Sequence, residues 1–255
     1  MRIRALGVSG SEIPGRSLPA FLIDDTILLD AGTIGQSLES RAQSEITHIL
    51  LSHAHLDHVK GLPFLLDNLI IKNSGNTLTL IGAENVLAVV KRDLLNDRIW
   101  PDFTRIPSVA KPILKFMTIS PSRHVTVNGY RIFCERMSHT VPAYGYIIGK
   151  KGKKSLAYTG DTGPTEAFWR KVSRHKVDCL IVETSFSNRM TGLALKTGHL
   201  TPGLLEIEIG KMKHLPSRIY VTHAKPIYLK EIKKEISSLG IPGMDLLEDN
   251  QTFFV

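Results

Sequence analysis

At 255 residues, 42% of them hydrophobic, the chain is long enough to bury a sizeable core, and one domain covering residues 1–255 is the default expectation. The 22% charged and 7% aromatic content excludes a disordered composition, and no apolar run approaches the roughly 18 residues that a membrane-spanning helix needs. An excess of 32 Lys plus Arg over 24 Asp plus Glu gives a formal charge of +8, which favours anionic, phosphate-bearing partners, but it is spread along the chain rather than gathered into a nucleic-acid stripe.

In chain order, Met1–Gly7 turns polar and Gly-rich before any apolar stretch reaches signal-peptide length, so export is not expected. Phe21-Leu22-Ile23 and Thr26-Ile27-Leu28-Leu29 flank Asp24-Asp25 as a hairpin, and Thr47 to Ser52 follows as a strand. Gly61 and Pro63 precede a helix around Phe64-Leu65-Leu66, and Leu78 to Ile81 returns as a strand. Val86, Leu87, Val90, Leu94 and Leu95 recur at helical spacing within Asn85 to Trp100. Pro101 and Pro107 then open an irregular stretch that is read equally well as a lid or as a surface loop carrying Trp100 and Phe103.

The second half repeats the plan. Val125–Val127 and Tyr130–Glu135 are joined by Asn128-Gly129, and Tyr144–Ile148 and Ser155–Tyr158 by a solvated turn at Lys150 to Lys154. Helices are expected at Thr165 to Arg174, Pro202 to Met212 and Ile227 to Leu239, and strands at Val177 to Glu183, Arg218 to Thr222 and Gln251 to Val255. Two halves of strands followed by helices imply an α/β fold, two sheets face to face with helices outside: a four-layer α/β/β/α sandwich. Cys134 and Cys179 lie far apart in apolar strands and read as buried reduced thiols, which suits a cytoplasmic location.

The chemistry gathers directly after the strand Thr47 to Ser52. His53-Ala54-His55-Leu56-Asp57-His58 sets three imidazoles and a carboxylate within six positions, and these are ligands for zinc and related divalent ions. An extended stretch points His53 and His55 to one side, and the following turn swings Asp57 and His58 toward a second ion. Further ligand candidates, His139, Asp161 and His223, each stand at the end of a strand-like run, where a rigid scaffold presents functional side chains. His124, His175 and His214 lack that setting and read as surface residues.

These segments resemble the metallo-β-lactamase superfamily, from Leu6–Gly10 and Leu29–Thr33 through the histidine cluster to Thr222-His223. Within it, His53 to Leu62, Glu183 to Asn188 and Gly198 to Pro202 are most similar to class II 3′,5′-cyclic-nucleotide phosphodiesterases. The resemblance implies a zinc pair, with manganese or iron as alternatives: His53, His55 and His139 hold one ion, Asp57, His58 and His223 the other, and Asp161 bridges them. It also implies hydrolysis of cyclic AMP or cyclic GMP to the 5′-monophosphate by a hydroxide between the metals, with Asp57 and His199 expected as catalytic residues. His199, just ahead of the Thr201-Pro202 helix start, is read as the general acid or as a loop histidine packed beside that start. Ser185 and Asn188 are read as substrate contacts or as groups that stiffen a loop.

The expected partner is a small phosphodiester, in a protein that does not span a membrane and for which relatives of this fold suggest a homodimer. Pro63, the basic charge and the spacing from His199 to His223 also resemble tRNase Z, which acts on nucleic acid, although Leu56 stands where those enzymes carry Gly. Hydrolysis of a thioester or lactone, and a non-catalytic metal-binding scaffold, are the remaining readings.

Overall fold

Period-two alternation gives each strand two faces, and in the central strands of this protein both are buried. In a computed structural model that describes residues 1–72 and 76–255, the chain forms β1 (Arg2–Gly7), β2 (Ala20–Ile23), β3 (Ile27–Leu29), β4 (His48–Leu50), β5 (Leu78–Gly82) and β6 (Leu114–Thr118). It continues as β7 (Val125–Val127), β8 (Tyr130–Arg136), β9 (Tyr144–Gly149), β10 (Ser155–Tyr158), β11 (Cys179–Glu183), β12 (Arg218–Thr222), β13 (Met244–Leu246) and β14 (Thr252–Phe254). One seven-stranded sheet runs β14-β1-β2-β3-β4-β5-β6 and the other β13-β12-β11-β10-β9-β8-β7. The helices are α1 (Ser40–Ser44), α2 (Leu56–Val59), α3 (Gly61–Ile71), α4 (Glu84–Val89), α5 (Ala167–His175), α6 (Thr191–Thr197), α7 (Pro202–Ile209) and α8 (Leu229–Ser238).

Alternate residues of the second sheet go to different cores. Ile132, Tyr146, Ile148, Tyr158 and Ile181 join Ile3, Phe21 and Leu29 of the first sheet in one cluster. Their neighbours Ile147, Ala157, Leu180 and Val182 pack outward with Trp169 of α5, Leu205 of α7 and Ile232 of α8. Leu62, Leu65 and Leu69 of α3 extend the first cluster, so the layers run helix, sheet, sheet, helix as expected. The sheets meet at Phe21 and Tyr158, with ring centroids 5.4 Å apart, and the Tyr146 hydroxyl donates to the Leu51 carbonyl at 2.6 Å. Tyr146→Phe removes that bond and is expected to cost about 1 kcal/mol of stability in urea unfolding; an unchanged midpoint would remove the bond from the account.

The turns follow their chemistry. Asp24 and Asp25 take positive φ values of 42° and 60°, and Asn128-Gly129 takes 48° and 78°, the backbone twist that two-residue hairpins require. The Lys150–Lys154 stretch is exposed at the turn between β9 and β10. Both cysteines are buried and unpaired. Among the described residues no helix is long and apolar enough to cross a membrane.

Some boundaries differ from expectation. The helical pattern from Asn85 to Trp100 ends early: α4 gives way to a π-helical turn at Val90–Leu94. Beyond it the Asn96 side chain accepts from the backbone N–H groups of Arg98 and Ile99 and donates to the Arg92 carbonyl, and Asp97 accepts from the N–H of Asp102. Such local bonds offer the backbone an alternative to the helix. The strands β1, β6 and β13 were not anticipated, and β14 leaves the second half to pair antiparallel with β1, Arg2 opposite Phe254.

Candidate metal centre

Strands β3 to β4 and β10 to β12 run parallel, and their carboxyl ends open toward one crevice, the position where sheets of this kind present ligands. After β4 the chain stays extended through His55 (φ −65°, ψ 148°) before α2 begins. His53 and His55 therefore precede the helix, and Asp57 and His58 occupy its first turn. His223 leaves β12 in a left-handed conformation, φ 65°, with its N–H donating to the Val8 carbonyl at 2.7 Å. Gly10 allows this: a Cβ there would lie 2.3 Å from the carbonyl oxygen of His223 and 2.8 Å from its Nδ1.

The structure brings all seven predicted ligands together in two groups. His53, His55, His139 and Asp161 offer ligand atoms within 4.8 Å of one another, and so do Asp57, His58, Asp161 and His223. Asp161 belongs to both. Its Oδ2 lies 3.6 Å from His53 Nε2 and 3.9 Å from His139 Nε2, while its Oδ1 lies 3.4 Å from His58 Nε2 and 3.3 Å from His223 Nε2. Asp57 closes the second group at 3.3 Å from His223 Nε2.

Hydrogen bonds outside the groups decide which nitrogens face inward. Asp30 accepts from His58 Nδ1 at 2.7 Å, and Gly198 O from His139 Nδ1 at 2.8 Å. Ser52 Oγ donates its one proton to Asp30 at 2.7 Å and so accepts from His53 Nδ1 at 2.9 Å. Ser185 Oγ does the same between Glu183 Oε2 and His223 Nδ1, at 3.1 and 2.8 Å. Each of these rings has its Nδ1 engaged by an outer partner and turns its Nε2 to the crevice, the arrangement that orients metal-ligating imidazoles. Burial, first of all, pushes the pKa of His53, His55 and His139 below the ordinary imidazole value, which keeps their lone pairs free.

This donor set fits divalent metal on several counts. His53 Nε2 and Asp161 Oδ1 are buried with no hydrogen-bond partner, although buried polar atoms are normally satisfied. The facing nitrogens of His55 and His139 stand 3.2 Å apart and those of His58 and His223 3.3 Å; two nitrogens sharing a tetrahedral zinc at ordinary bond lengths stand roughly 3.3 Å apart. Burial would raise the pKa of Asp161 and Asp57, yet His223 and His58 hold both carboxyls below the usual range, so both are anionic. Burial would lower His58, but Asp161 and Asp30 hold it above the usual value, a preference for positive charge that a cation meets in place of the proton.

Sequence reasoning missed Asp30. It is fully buried and accepts four hydrogen bonds, from the N–H and hydroxyl of Ser52, His58 Nδ1 and the Tyr158 hydroxyl. Its left-handed φ of 55° turns the chain after β3, a conformation that the Asp-Ala-Gly sequence does not by itself tie to the ligand groups. Asp30→Asn is expected to weaken metal affinity about 10–100-fold in a chelator competition; unaltered affinity would mean that His58 is oriented without it.

His199 stands beside the second group. Glu183 Oε1 accepts from its Nδ1 at 2.8 Å, and its ring centroid lies 5.0 Å from that of His139 and 5.5 Å from that of His223. Burial would lower its pKa, but the Glu183 carboxylate raises it above the ordinary value. Ser185, read from sequence as a substrate contact or a loop stiffener, is buried and links His223, His199 and Glu183. Asn188 stiffens the loop, its side chain accepting from the N–H of Gly203 at 2.7 Å. His124 and His214 are exposed, and His175 packs on Phe133, centroids 4.3 Å apart. Phe103 is buried and Trp100 packs on Phe64.

The model of the β-lactamase superfamily domain matches residues 25–224, and the chain belongs to this superfamily as a metallo-hydrolase of the β-lactamase fold. It is 26% identical to the probable 3′,5′-cyclic-nucleotide phosphodiesterase of Yersinia pestis over 296 aligned positions, covering 95% of this chain and 84% of that protein. It is also 26% identical to a ribonuclease Z of Bradyrhizobium diazoefficiens, covering 77% of this chain and 81% of that protein. Unliganded yeast PDE1 has the same fold, with a TM-score of 0.80 at 18% identity over 100% of this chain and 99% of that one.

Proposed function

We propose that this protein hydrolyses 3′,5′-cyclic nucleotides to 5′-monophosphates, with His53, His55, His139, Asp57, His58 and His223 holding two divalent ions and Asp161 reaching both. The observation that carries the reading is His199, fixed by Glu183 beside the ligand groups: a proton donor where an alkoxide would leave. Bound metal would supply Lewis acidity and a water-derived nucleophile at neutral pH.

The protein's own part lies in proton placement. Among the described residues the hydrogen bonds of the His199 ring run through Nδ1, which leaves Nε2 to face substrate. The Glu183 carboxylate on Nδ1 raises the ring's pKa and so favours the doubly protonated form, from which Nε2–H can donate to the departing 3′ oxygen. As that proton leaves, Glu183 keeps the remaining one on Nδ1 and fixes the tautomer. Ser185 couples this donor to His223, so the orientation of a ligand and of the acid are set by one hydroxyl. Asp57, ionised and 29% exposed at its side chain, is the member of the second group most open to an incoming substrate.

The likeness to the Yersinia pestis phosphodiesterase across 95% of this chain supports a cyclic nucleotide over other diesters. Equal identity to a ribonuclease Z and the +8 charge favour a second reading, a tRNase Z-type endonuclease. A turnover panel with zinc or manganese separates them: 3′,5′-cyclic nucleotides, 2′,3′-cyclic nucleotides and precursor tRNA. Conversion of cyclic AMP or cyclic GMP to the 5′-monophosphate is expected. Cleavage of precursor tRNA with neither cyclic nucleotide consumed would replace the first reading by the second.

A further inference from the structure

We infer that an apolar slot opening one helical turn from Asp57 receives the heterocyclic base of the substrate; this rests on the cyclic-nucleotide reading. The slot is a cavity of about 210 Å³ whose lining includes Glu12, Ile34, Gly35, Lys60, Gly61 and Phe64. Three walls come directly off the candidate metal ligands.

The first wall is a helical face. Lys60 keeps helical angles, φ −53° and ψ −38°, where α2 ends and α3 begins, but the Gly61 N–H leaves the helical ladder for the Ala31 carbonyl. Lys60 and Gly61 follow Asp57 by three and four residues, about one helical turn or roughly 5.4 Å, and Phe64 stands at i+3 from Gly61 on α3. A nucleotide whose phosphate is held at the ligand groups has its base displaced along this face.

The second wall is the turn after β3. Ala31 N–H donates to the His58 carbonyl at 2.8 Å and Gly61 N–H to the Ala31 carbonyl at 2.7 Å. A Cβ at Gly32 would lie 2.3 Å from the Asp57 carbonyl oxygen, so this turn lies directly against the ligand-bearing helix. The third wall carries Glu12, two residues beyond Gly10, whose backbone abuts His223.

The lining chemistry suits a planar heterocycle. Phe64 is 52% exposed, yet its ring is fixed edge-to-face against Trp100 at 5.3 Å. An isolated exposed Phe needs no explanation, but one that walls a concave apolar site with a few polar groups at its edge has the make-up of a ligand pocket. The polar side chains of the lining are Thr33, Gln36, Glu12 and Lys60; Glu12 and Lys60 pair with each other at the rim, and the Gln36 amide carries both a donor and an acceptor, as a base edge does.

Two variants test the slot from opposite directions. Gly35→Trp fills it: the position lacks a positive φ and a Cβ there meets nothing within 4 Å, so the backbone has no reason to shift. Phe64→Ala removes a wall. Both are expected to lower kcat/KM for cyclic AMP at least about tenfold, through KM, while turnover of a base-free ribose 3′,5′-cyclic phosphate stays unchanged. Adenosine binding, read by saturation-transfer NMR without turnover, is expected to fall in step. Equal losses on both cyclic phosphates, or unchanged adenosine binding, would overturn the slot even in a protein that hydrolyses cyclic AMP. Adenosine binding that is sensitive to Gly35→Trp, in a protein that leaves every cyclic nucleotide intact, would keep the slot and remove the proposed activity.

Discussion

Asp161→Ala is expected to reduce hydrolysis of every phosphodiester substrate by about 1000-fold or more, since it withdraws several kcal/mol of transition-state stabilisation. Among the described residues Asp161 alone belongs to both ligand groups: one carboxylate oxygen lies toward His53 and His139, the other toward His58 and His223. Removing it withdraws the anion they share and leaves the buried imidazoles without a common partner. Asp161→Asn keeps the shape and loses the charge, so it is expected to fall nearly as far while remaining folded by circular dichroism. Activity within a factor of about ten of the unaltered protein would mean that the two groups do not act as one centre.

His199→Ala is expected to lower cyclic-nucleotide turnover by about 100- to 10,000-fold, the range for loss of a positioned general acid. The effect should depend on the leaving group. A 3′ alkoxide is a poor leaving group and needs its proton, whereas p-nitrophenolate departs without one, so hydrolysis of a p-nitrophenyl phosphodiester should change little. Equal losses on both substrates would make His199 a structural support of His139 and His223, not an acid. Glu183→Gln tests the same argument from behind, because it leaves the ring in place and removes the charge that raises its pKa.

Much of the centre was legible because its strongest signal is local. Four ligands lie within six positions of sequence, and their placement after a strand fixed both their exposure to one crevice and their division between two groups. His139, Asp161 and His223 were legible at one remove, as side chains at the ends of apolar strands. Asp30 was not, because its role depends on partners 22, 28 and 128 residues away, Ser52, His58 and Tyr158, and nothing in an Asp-Ala-Gly turn announces them. The slot beside Asp57 was hidden for the same reason: its walls come from three separate segments.

The fold behaved likewise. Hairpins set by Asp-Asp and Asn-Gly were read from their turns, whereas β6 and β13, with many half-exposed residues, carry little apolar alternation to find. The pairing of β14 with β1 joins opposite ends of the chain and follows from the sandwich, not from either strand alone. The π-helical turn at Val90–Leu94 shows the limit of periodicity, since apolar spacing runs through Val90, Leu94 and Leu95 although the backbone leaves the α-helix at Val90, and Asn96 and Asp97 then take up the backbone bonds.

The most direct test of the central claim is metal content. Elemental analysis of the protein after loading with zinc and exhaustive dialysis should give two ions per chain, and His53→Ala or His223→Ala should each reduce that number while leaving the unfolding midpoint of the metal-free chain nearly unchanged. A stoichiometry of one or none in folded protein would contradict the account, because the inward lone pairs of His53, His139, His58 and His223 around Asp161 would then have no purpose in common.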